Sequence, residues 1–137
     1  MMFVDDQYFA VLTKIVFATG FSRRIVESRW SAFEEQFAHF DPEHVRQFDP
    51  SDVEKLLVPD SGIVKNRRKV MATLQNAAIC CRIAQQYGSL SEFIDETMEK
   101  EEVEAQRVLQ KTFCLIGESG AISLFQEFSH MLHPENL

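Results

Sequence analysis

The chain has 137 residues, of which 45% are hydrophobic and 26% are charged. This length suits one domain with its own core, and the composition excludes an intrinsically disordered chain. The net charge of −7 at pH 7 excludes a uniformly basic protein that coats nucleic acid, so any contact with a polyanion must be concentrated in a few residues.

Hydrophobic residues recur at helical spacing along most of the chain, and alternating strand patterns are nearly absent. This predicts an all-α, compact helical domain over residues 1–137, with an aromatic-rich core because 12 residues are phenylalanine. A first helix is predicted over residues 5–18, ending at Gly20, and Ser22 is predicted to cap a second helix that reaches about residue 38. The N-terminus lacks the basic start and the cleavage site of a signal peptide, so none is predicted.

Two Asp-Pro pairs predict two short helices in the middle of the chain. Asp41 is predicted to cap a turn near residues 44–47, and Asp49 or Ser51 to cap a helix over residues 52–58. The remaining helices are predicted over residues 66–86, 91–98 and 119–132, with an exposed helix face at 99–104.

The turn between the helices at 52–58 and 66–86 carries the densest positive charge in the sequence. Gly62 permits a positive φ there, and four of the 14 basic residues fall within positions 65–69. Free backbone N–H groups at the start of the following helix attract an anion such as a DNA phosphate. A plain helix end with solvated cations is the alternative. The predicted DNA-contacting residues are Gly62, Ile63, Val64, Lys65, Asn66, Arg67, Arg68 and Lys69.

Several short motifs surround this turn in a fixed order. They are the turn Gly20-Phe21-Ser22, the triplets Phe40-Asp41-Pro42 and Asp52-Val53-Glu54, the hairpin at 61–69, the pair Asn76-Ala77, and the segments 113–117 and 123–126. Their order and spacing, from about residue 8 to residue 128, resemble the DNA-3-methyladenine glycosylase I family of helix-hairpin-helix DNA glycosylases.

The resemblance implies an enzyme of base excision repair. In this family the hairpin, here within a helix-hairpin-helix at about 52–86, grips the phosphate backbone of duplex DNA. A pocket between the helices receives an alkylated adenine flipped out of the duplex, and its N-glycosidic bond is hydrolysed. The resemblance further implies duplex DNA as the partner. The cysteines suit free thiols in a reducing cytoplasm, the apolar stretch at 15–21 is too short to span a membrane, and we expect a monomer. The base-pocket positions that it implies are Gly20, Phe21, Ser22 and Arg23.

The family's residues that recognise the flipped base are missing from this sequence. The family's pocket glutamate falls at Ile15 and its tryptophan at Arg23, and Trp30 lies seven residues too far along to replace it. Glu27 is the candidate to replace this pocket glutamate as a recognition or general-base group; the alternative is a surface glutamate paired with Arg23 or Arg24. The chain is therefore predicted to be either a glycosylase with a rebuilt pocket or a catalytically degenerate DNA-binding protein. A partner-binding domain without DNA contact is disfavoured by the basic hairpin.

Cysteine and histidine residues give no pattern of a metal site. Cys80, Cys81 and Cys114 match no ligand spacing, so buried free thiols are predicted. The family's zinc site uses Cys and His near both ends of the chain, whereas His130 and His133 have no cysteine companion here. We therefore predict no zinc, no other metal and no cofactor.

Overall fold

The computed structural model describes residues 3–136, and no strand occurs within that range. Among these described residues, three short 3₁₀ turns, Ala38–Phe40, Pro59–Ser61 and Pro134–Asn136, connect or end the α-helices. The α-helices of the described residues are α1 (Val4–Ala18), α2 (Arg23–Ser28), α3 (Trp30–Gln36), α4 (Pro42–Val45), α5 (Pro50–Leu56), α6 (Arg67–Tyr87), α7 (Leu90–Met98), α8 (Glu102–Thr112) and α9 (Glu118–Leu132).

Short polar side chains start most of these helices. Ser22, Asp41, Asp49, Asn66 and Ser89 each accept a hydrogen bond from a backbone N–H in the first turn of the helix that follows. These N–H groups have no carbonyl partner within the helix, so each cap stabilises a restart of the chain after a turn. The caps predicted at Ser22, Asp41 and Asp49 are confirmed.

The core is built around α1 and is rich in aromatic rings, as predicted. Phe17 of α1 meets Phe33 of α3 edge to face, with ring centroids 4.9 Å apart. Such pairs add to the free energy gained by burying each ring. The fully buried phenylalanines include Phe9, Phe17, Phe33, Phe37, Phe40 and Phe128.

The predicted second helix is broken in two at Arg29. The Ser28 hydroxyl donates to the carbonyl of Ile25, the group that the N–H of Arg29 would use in a continuous helix. The N–H of Arg29 instead bonds to Val26, and Arg29 leaves helical geometry with φ −109° and ψ 13°. The spacing of hydrophobic residues gives no information on this competition between the Ser28 hydroxyl and the N–H of Arg29. The prediction of one helix to about residue 38 was therefore wrong.

Three consecutive residues after α3 adopt left-handed backbone. Ala38, His39 and Phe40 have φ values of 53°, 54° and 60°, a conformation that costs about 1–2 kcal/mol for each non-glycine residue. The turn places Phe40 wholly inside the core, where its ring stacks on Trp30 at 5.0 Å. Burial of this ring offsets the backbone strain, so the chain reverses direction without a glycine.

Helices α1 and α6 lie side by side in opposite directions. At one end, the Lys69 ammonium donates to Phe17 O at 2.8 Å. At the other end, the Asp5 carboxylate accepts from the N–H groups of Leu90 and Ser91, both at 2.9 Å, just beyond the end of α6. The end of this helix pair with Lys69 also carries the basic turn, and we call it the hairpin end.

The opposite end of the pair is acidic. Asp5, Asp6, Asp41 and Glu43 surround a groove of about 320 Å³ whose floor includes Leu90. Partial burial, followed by repulsion from Asp41 and Asp5, raises the pKa of Asp6 to about 6. The carboxylates of this acidic groove therefore destabilise one another when they are all ionised.

Replacing Asp6 with asparagine is expected to raise the free energy of unfolding by about 1 kcal/mol at pH 7.5. This is less than the full pKa shift would give, because solvent screens a group that is partly exposed. The folded-state pKa of Asp6, about 6, exceeds its ordinary value of 3.8, so the destabilisation is present above pH 6 and is lost as the pH falls towards 3.8. Urea unfolding of both proteins at pH 7.5 and pH 3.5 checks this. The expectation would be contradicted if Asp6→Asn were no more stable than the wild type at pH 7.5, or if the exposed control Asp95→Asn were stabilised to the same extent.

Candidate nucleic-acid interface and base pocket

The turn at Gly62 connects α5 to α6 through the 3₁₀ turn Pro59–Ser61. Gly62 has φ +88° and ψ −15°, in the left-handed region that favours glycine. A Cβ atom added to it would lie 2.8 Å from the Cβ of Ala32 in α3. Glycine is therefore required here both by the backbone and by the close approach of α3.

Backbone N–H groups follow Gly62 without protein partners. Within residues 3–136, the N–H groups of Gly62, Ile63, Val64 and Lys65 donate no hydrogen bond to another group of the chain. The side chain of Ile63 is fully buried and anchors this segment, while Asn66 caps α6. A fixed row of free donors at the positive end of a 21-residue helix is suited to an anion.

The basic side chains of this turn differ in their partners. The Arg67 guanidinium makes two hydrogen bonds to the Glu54 carboxylate, at 2.7 and 3.1 Å, and both side chains are exposed. These bonds raise the pKa of Arg67 and lower that of Glu54. Lys65 donates to Ile63 O at 3.0 Å. Arg68 is exposed and has no side-chain partner within the described part of the chain.

Lys69 has a structural partner instead. Its ammonium donates to the carbonyls of Phe17, at 2.8 Å, and Thr19, at 2.7 Å, where α1 ends. A cation at these last carbonyls satisfies acceptors that the helix leaves free. Partial burial lowers the pKa of Lys69. This predicted DNA contact therefore joins the start of α6 to the end of α1.

A cavity of about 160 Å³ opens between the hairpin end of α6 and the end of α1. A cavity of about 150 Å³ can hold one benzene ring, so this space suits one aromatic ring of a base. Its walls come from three segments that are far apart in sequence. They are formed by Val16, Thr19, Asn66, Arg68, Lys69 and Leu115.

Asn76 of α6 holds the third wall in place. Its amide donates to Cys114 O at 3.2 Å and accepts from Cys114 N at 2.7 Å. Leu115, the next residue, has a positive φ of 56°, a strained conformation for leucine. The buried Asn76 thus fixes a strained loop whose Leu115 side chain lines the cavity. The sequence showed both segments as separate motifs but gave no sign that they touch.

Comparison with known proteins decides the family. The model of the methyladenine glycosylase family matches residues 2–124, which is most of the chain. The chain belongs to the methyladenine glycosylase family. The resemblance found in the sequence is thereby confirmed.

Solved structures of methyladenine glycosylases share the fold. A 3-methyladenine DNA glycosylase I from Staphylococcus aureus is 22% identical, with a TM-score of 0.79 over 90% of this chain and 75% of that one. A variant 3-methyladenine DNA glycosylase I in complex with 3-methyladenine gives 22% and 0.79 over 90% and 76%. A solution structure of 3-methyladenine DNA glycosylase I gives 21% and 0.73 over 89% and 75%. The all-α fold is therefore confirmed.

Ile15 and Arg23 stand at the positions of the pocket glutamate and tryptophan of the glycosylase family. Ile15, at the glutamate position, is buried in the core. Arg23, at the tryptophan position, bridges Glu27 at 2.9 Å and Glu127 of α9 at 2.5 Å on the surface. Glu27 is thus an exposed partner of Arg23, and its pKa is lowered by that hydrogen bond. A general base must be able to take up a proton during the reaction. The pairing with Arg23 stabilises the ionised form of Glu27 and so makes proton uptake less favourable.

The turn that the glycosylase resemblance assigned to the pocket lies at the edge of the cavity. Gly20 has φ +69°, Phe21 is about half exposed, and Ser22 caps α2. Phe21 approaches the Lys69 ammonium, with 5.9 Å from the nitrogen to the ring centroid. The cavity walls themselves use the neighbouring Thr19 rather than Gly20, Phe21, Ser22 or Arg23.

The three cysteines of this family member are free thiols. In the part of the chain that the structure describes, no three His, Cys, Asp or Glu side chains are grouped to hold a metal ion. Cys80, Cys81 and Cys114 are free, and burial raises the pKa of Cys80 and raises that of Cys81 to about 11. No helix within residues 3–136 is long and apolar enough to cross a membrane.

Proposed function

We propose that this protein is a DNA glycosylase of base excision repair that hydrolyses the N-glycosidic bond of an alkylated purine flipped out of duplex DNA. The observation that carries the proposal is the ring-sized cavity at the start of α6, the helix that follows the free donors of the Gly62 turn. In a methyladenine glycosylase, these two features correspond to a place for the flipped base and a grip on the strand that carries it. Relatives of the same fold are named 3-methyladenine DNA glycosylases.

The proposed DNA contact is the phosphate backbone. The N–H groups of Gly62, Ile63, Val64 and Lys65 donate to one phosphate, and the Arg68 guanidinium is free to bind the next. Arg67 joins by exchanging its exposed Glu54 partner for phosphate, because an exposed ion pair contributes little stability. Asn66 caps α6, so that the positive end of the helix dipole is directed at the proposed phosphate contact. Lys69 holds the start of the helix in place.

This contact predicts a distinct response to salt. Replacing Arg67 and Arg68 with glutamine is expected to flatten the slope of log affinity against log salt by about 1.8, since each phosphate contact contributes about 0.9. Fluorescence anisotropy with one duplex between 50 and 300 mM salt measures it. The matched control is Arg82→Gln with Arg107→Gln, which removes the same charge from exposed positions further along α6 and on α8. Equal slopes for the two double variants would rule out the proposed contact.

In the proposed reaction, the bond between C1′ of the sugar and N9 of the purine breaks. The oxygen of water forms the new bond to C1′, and the departing base keeps the electron pair of the broken bond. The proton that the water loses goes to the departing base, or to solvent where a cationic base departs as a neutral molecule. Val16 and Leu115 provide apolar walls for the base, and Thr19 provides a polar group beside it. Carboxylates do not contribute to the cavity walls among the described residues, so we assign no general base. Catalysis then comes from extruding the base and from holding it and its sugar in position for attack by water.

Release of free base is the decisive test. With enzyme in excess over DNA, methylated duplex DNA and a duplex with 1,N6-ethenoadenine are each expected to release alkylated purine above the uncatalysed rate. Chromatography of the released bases measures this, and anisotropy confirms in parallel that the duplexes are bound. Bound duplexes without release of either base would overturn the glycosylase proposal.

The second candidate function is a catalytically degenerate helix-hairpin-helix DNA-binding protein. It is favoured by the cavity walls without a carboxylate and by the surface ion pair of Arg23 with Glu27 and Glu127.

Under both candidates we propose one domain over residues 1–137, a helix-hairpin-helix at about 52–86, and a monomer that acts in the cytoplasm. A single core around α1 supports the one-domain arrangement.

A further inference from the structure

A further cavity, of about 220 Å³, opens where the end of α6 meets α7 and α8. A cavity of about 150 Å³ can hold one benzene ring, so this space suits one aromatic ring with a small substituent. About twenty residues of α6, or roughly 30 Å at 1.5 Å per residue, separate Tyr87 at this cavity from Arg67 at the proposed DNA contact. The walls are formed by Tyr87, Phe93, Glu96, Thr97, Lys100 and Val108.

Apolar side chains form most of the cavity surface. The rings of Tyr87 and Phe93 meet edge to face, with centroids 5.2 Å apart and an angle of 70° between their planes. Phe93 is buried, so its ring is held in place, and Val108 of α8 adds an aliphatic wall. Aromatic rings that pack on one another gain free energy beyond that of the area they bury. The walls therefore suit a planar aromatic ring.

Thr97 supplies an unpaired hydroxyl to this cavity. The residue is 2% exposed, and its hydroxyl has no hydrogen-bond partner among the residues that the structure describes. The buried Thr13 and Thr73 differ, because their hydroxyls donate to backbone carbonyls at 2.9 and 2.8 Å. The Thr97 oxygen is not fully enclosed by protein, so its small exposed surface lies on the cavity wall. A valine would fill the same space without a polar group, so packing alone does not account for a threonine here.

The two charged residues of the cavity walls carry opposite signs. Glu96 and Lys100 are both exposed and contribute one negative and one positive charge. Because these charges offset each other, neither an anion nor a cation gains a net attraction from the walls. This favours an uncharged ligand.

We propose that this cavity binds a small, uncharged aromatic molecule that carries a hydroxyl or carbonyl group, and that the Thr97 hydroxyl forms a hydrogen bond with that group. Tyr87, Phe93 and Val108 hold the ring, and Thr97 fixes its orientation. A polar group on the ligand replaces solvent at the Thr97 hydroxyl and keeps a hydrogen bond there, whereas an apolar group leaves the hydroxyl without a partner. The site goes beyond the proposed glycosylase function, since it lies away from the proposed DNA contact.

The test compares phenol with toluene, in which a methyl group stands in place of the hydroxyl. NMR titration of protein with labelled valine methyl groups follows Val108 and gives a Kd for each compound. We expect both compounds to shift the Val108 signals. The ratio of the toluene Kd to the phenol Kd is expected to be about five-fold lower in Thr97→Val than in the wild type, which is the effect of one net hydrogen bond. Thr97→Ser keeps the hydroxyl and should keep the wild-type ratio.

Thr13→Val is the matched control, because Thr13 is similarly buried but its hydroxyl is bonded to Phe9 O within α1, outside the cavity. It should leave the ratio unchanged. The signals of Val16, which lines the proposed base cavity, show whether either compound binds there instead. The inference would be overturned if Val108 responded to neither compound, or if the wild type and Thr97→Val gave equal ratios. Loss of the ratio in Thr97→Ser would assign the effect to side-chain shape and would overturn it as well.

Folding and base release are measured separately. Thr97→Val exchanges an unpaired hydroxyl for a methyl group, so its free energy of unfolding should be no lower than that of the wild type, which urea unfolding checks. A clear loss of stability would show that the hydroxyl is already bonded within the protein and would overturn the inference. The titration contains no DNA, so binding of phenol does not depend on whether the protein releases a base. Failure of the inference and failure of the proposed function are therefore distinguishable.

Discussion

Replacing Gly62 with alanine is expected to lower the free energy of unfolding by about 3 kcal/mol and to abolish tight DNA binding. About 1–2 kcal/mol comes from placing an alanine at φ +88°. The rest comes from the new Cβ, which would lie 2.8 Å from the Cβ of Ala32. Neither atom has a rotamer that could relieve the overlap, so α3 and the turn must move apart. That movement displaces the free N–H groups which follow Gly62.

Gly88→Ala is the matched control for this experiment. Gly88 has φ +97°, yet a Cβ there would meet nothing within 4 Å, so its substitution reports the backbone cost alone. Urea unfolding of the two variants separates the two contributions. A second comparison places Ala32→Gly in the Gly62→Ala background, where removing the opposing Cβ should restore part of the stability and of the DNA affinity. Equal destabilisation by Gly62→Ala and Gly88→Ala would show that the close approach to α3 has no energetic weight.

Replacing Asn76 with alanine is also expected to lower the free energy of unfolding by about 3 kcal/mol. The substitution leaves the partly buried N–H and carbonyl of Cys114 without their protein partners, which costs about 1–3 kcal/mol for each group that water does not reach. It also frees the strained backbone at Leu115, so the wall of the cavity shifts. Binding of 9-methyladenine should weaken beyond the loss of folded protein, which unfolding curves and NMR titration measure together.

Asn76→Asp and Gln75→Ala complete this experiment. Aspartate keeps the acceptor for Cys114 N–H but loses the donor to Cys114 O, so its stability should fall between the wild type and Asn76→Ala. Gln75 is the exposed neighbour on the same helix, and its replacement should change stability by less than about 0.5 kcal/mol. A loss below about 1 kcal/mol for Asn76→Ala would mean that the loop at Leu115 is held by other contacts.

Local features of the fold could be predicted, and features that depend on distant contacts could not. The caps at Ser22, Asp41 and Asp49 act within three residues, so their effect is visible in a short stretch of sequence. The left-handed turn at Ala38–Phe40 depends on the space that the core offers to Phe40. Hydrophobic spacing carries no information on that space, so it predicted only that the second helix ends at about residue 38 and not that a left-handed turn follows.

The candidate site shows the same division. The glycine turn and its basic residues are consecutive, so the sequence located them directly. The partners of Lys69 lie 50 and 52 residues away, and those of Asn76 lie 38 residues away. The cavity needs the ends of α1 and α6 and the loop at Leu115 at once. The family pattern could therefore indicate that Ile15 and Arg23 replace the family's pocket glutamate and tryptophan. It could not show which residues line the cavity.

The opposite charges at the two ends of the α1–α6 pair bear on how the molecule approaches DNA. About twelve residues of α1 separate Asp5 from Phe17, or roughly 18 Å at 1.5 Å per residue. This is about twice the Debye length in physiological salt, so the acidic groove does not cancel the attraction at the hairpin end once contact is near. At longer range in dilute salt, the polyanion exerts a torque that turns the acidic groove away. Encounters thus become orientationally biased, and a protein with a net charge of −7 can still associate rapidly and with the correct face forward.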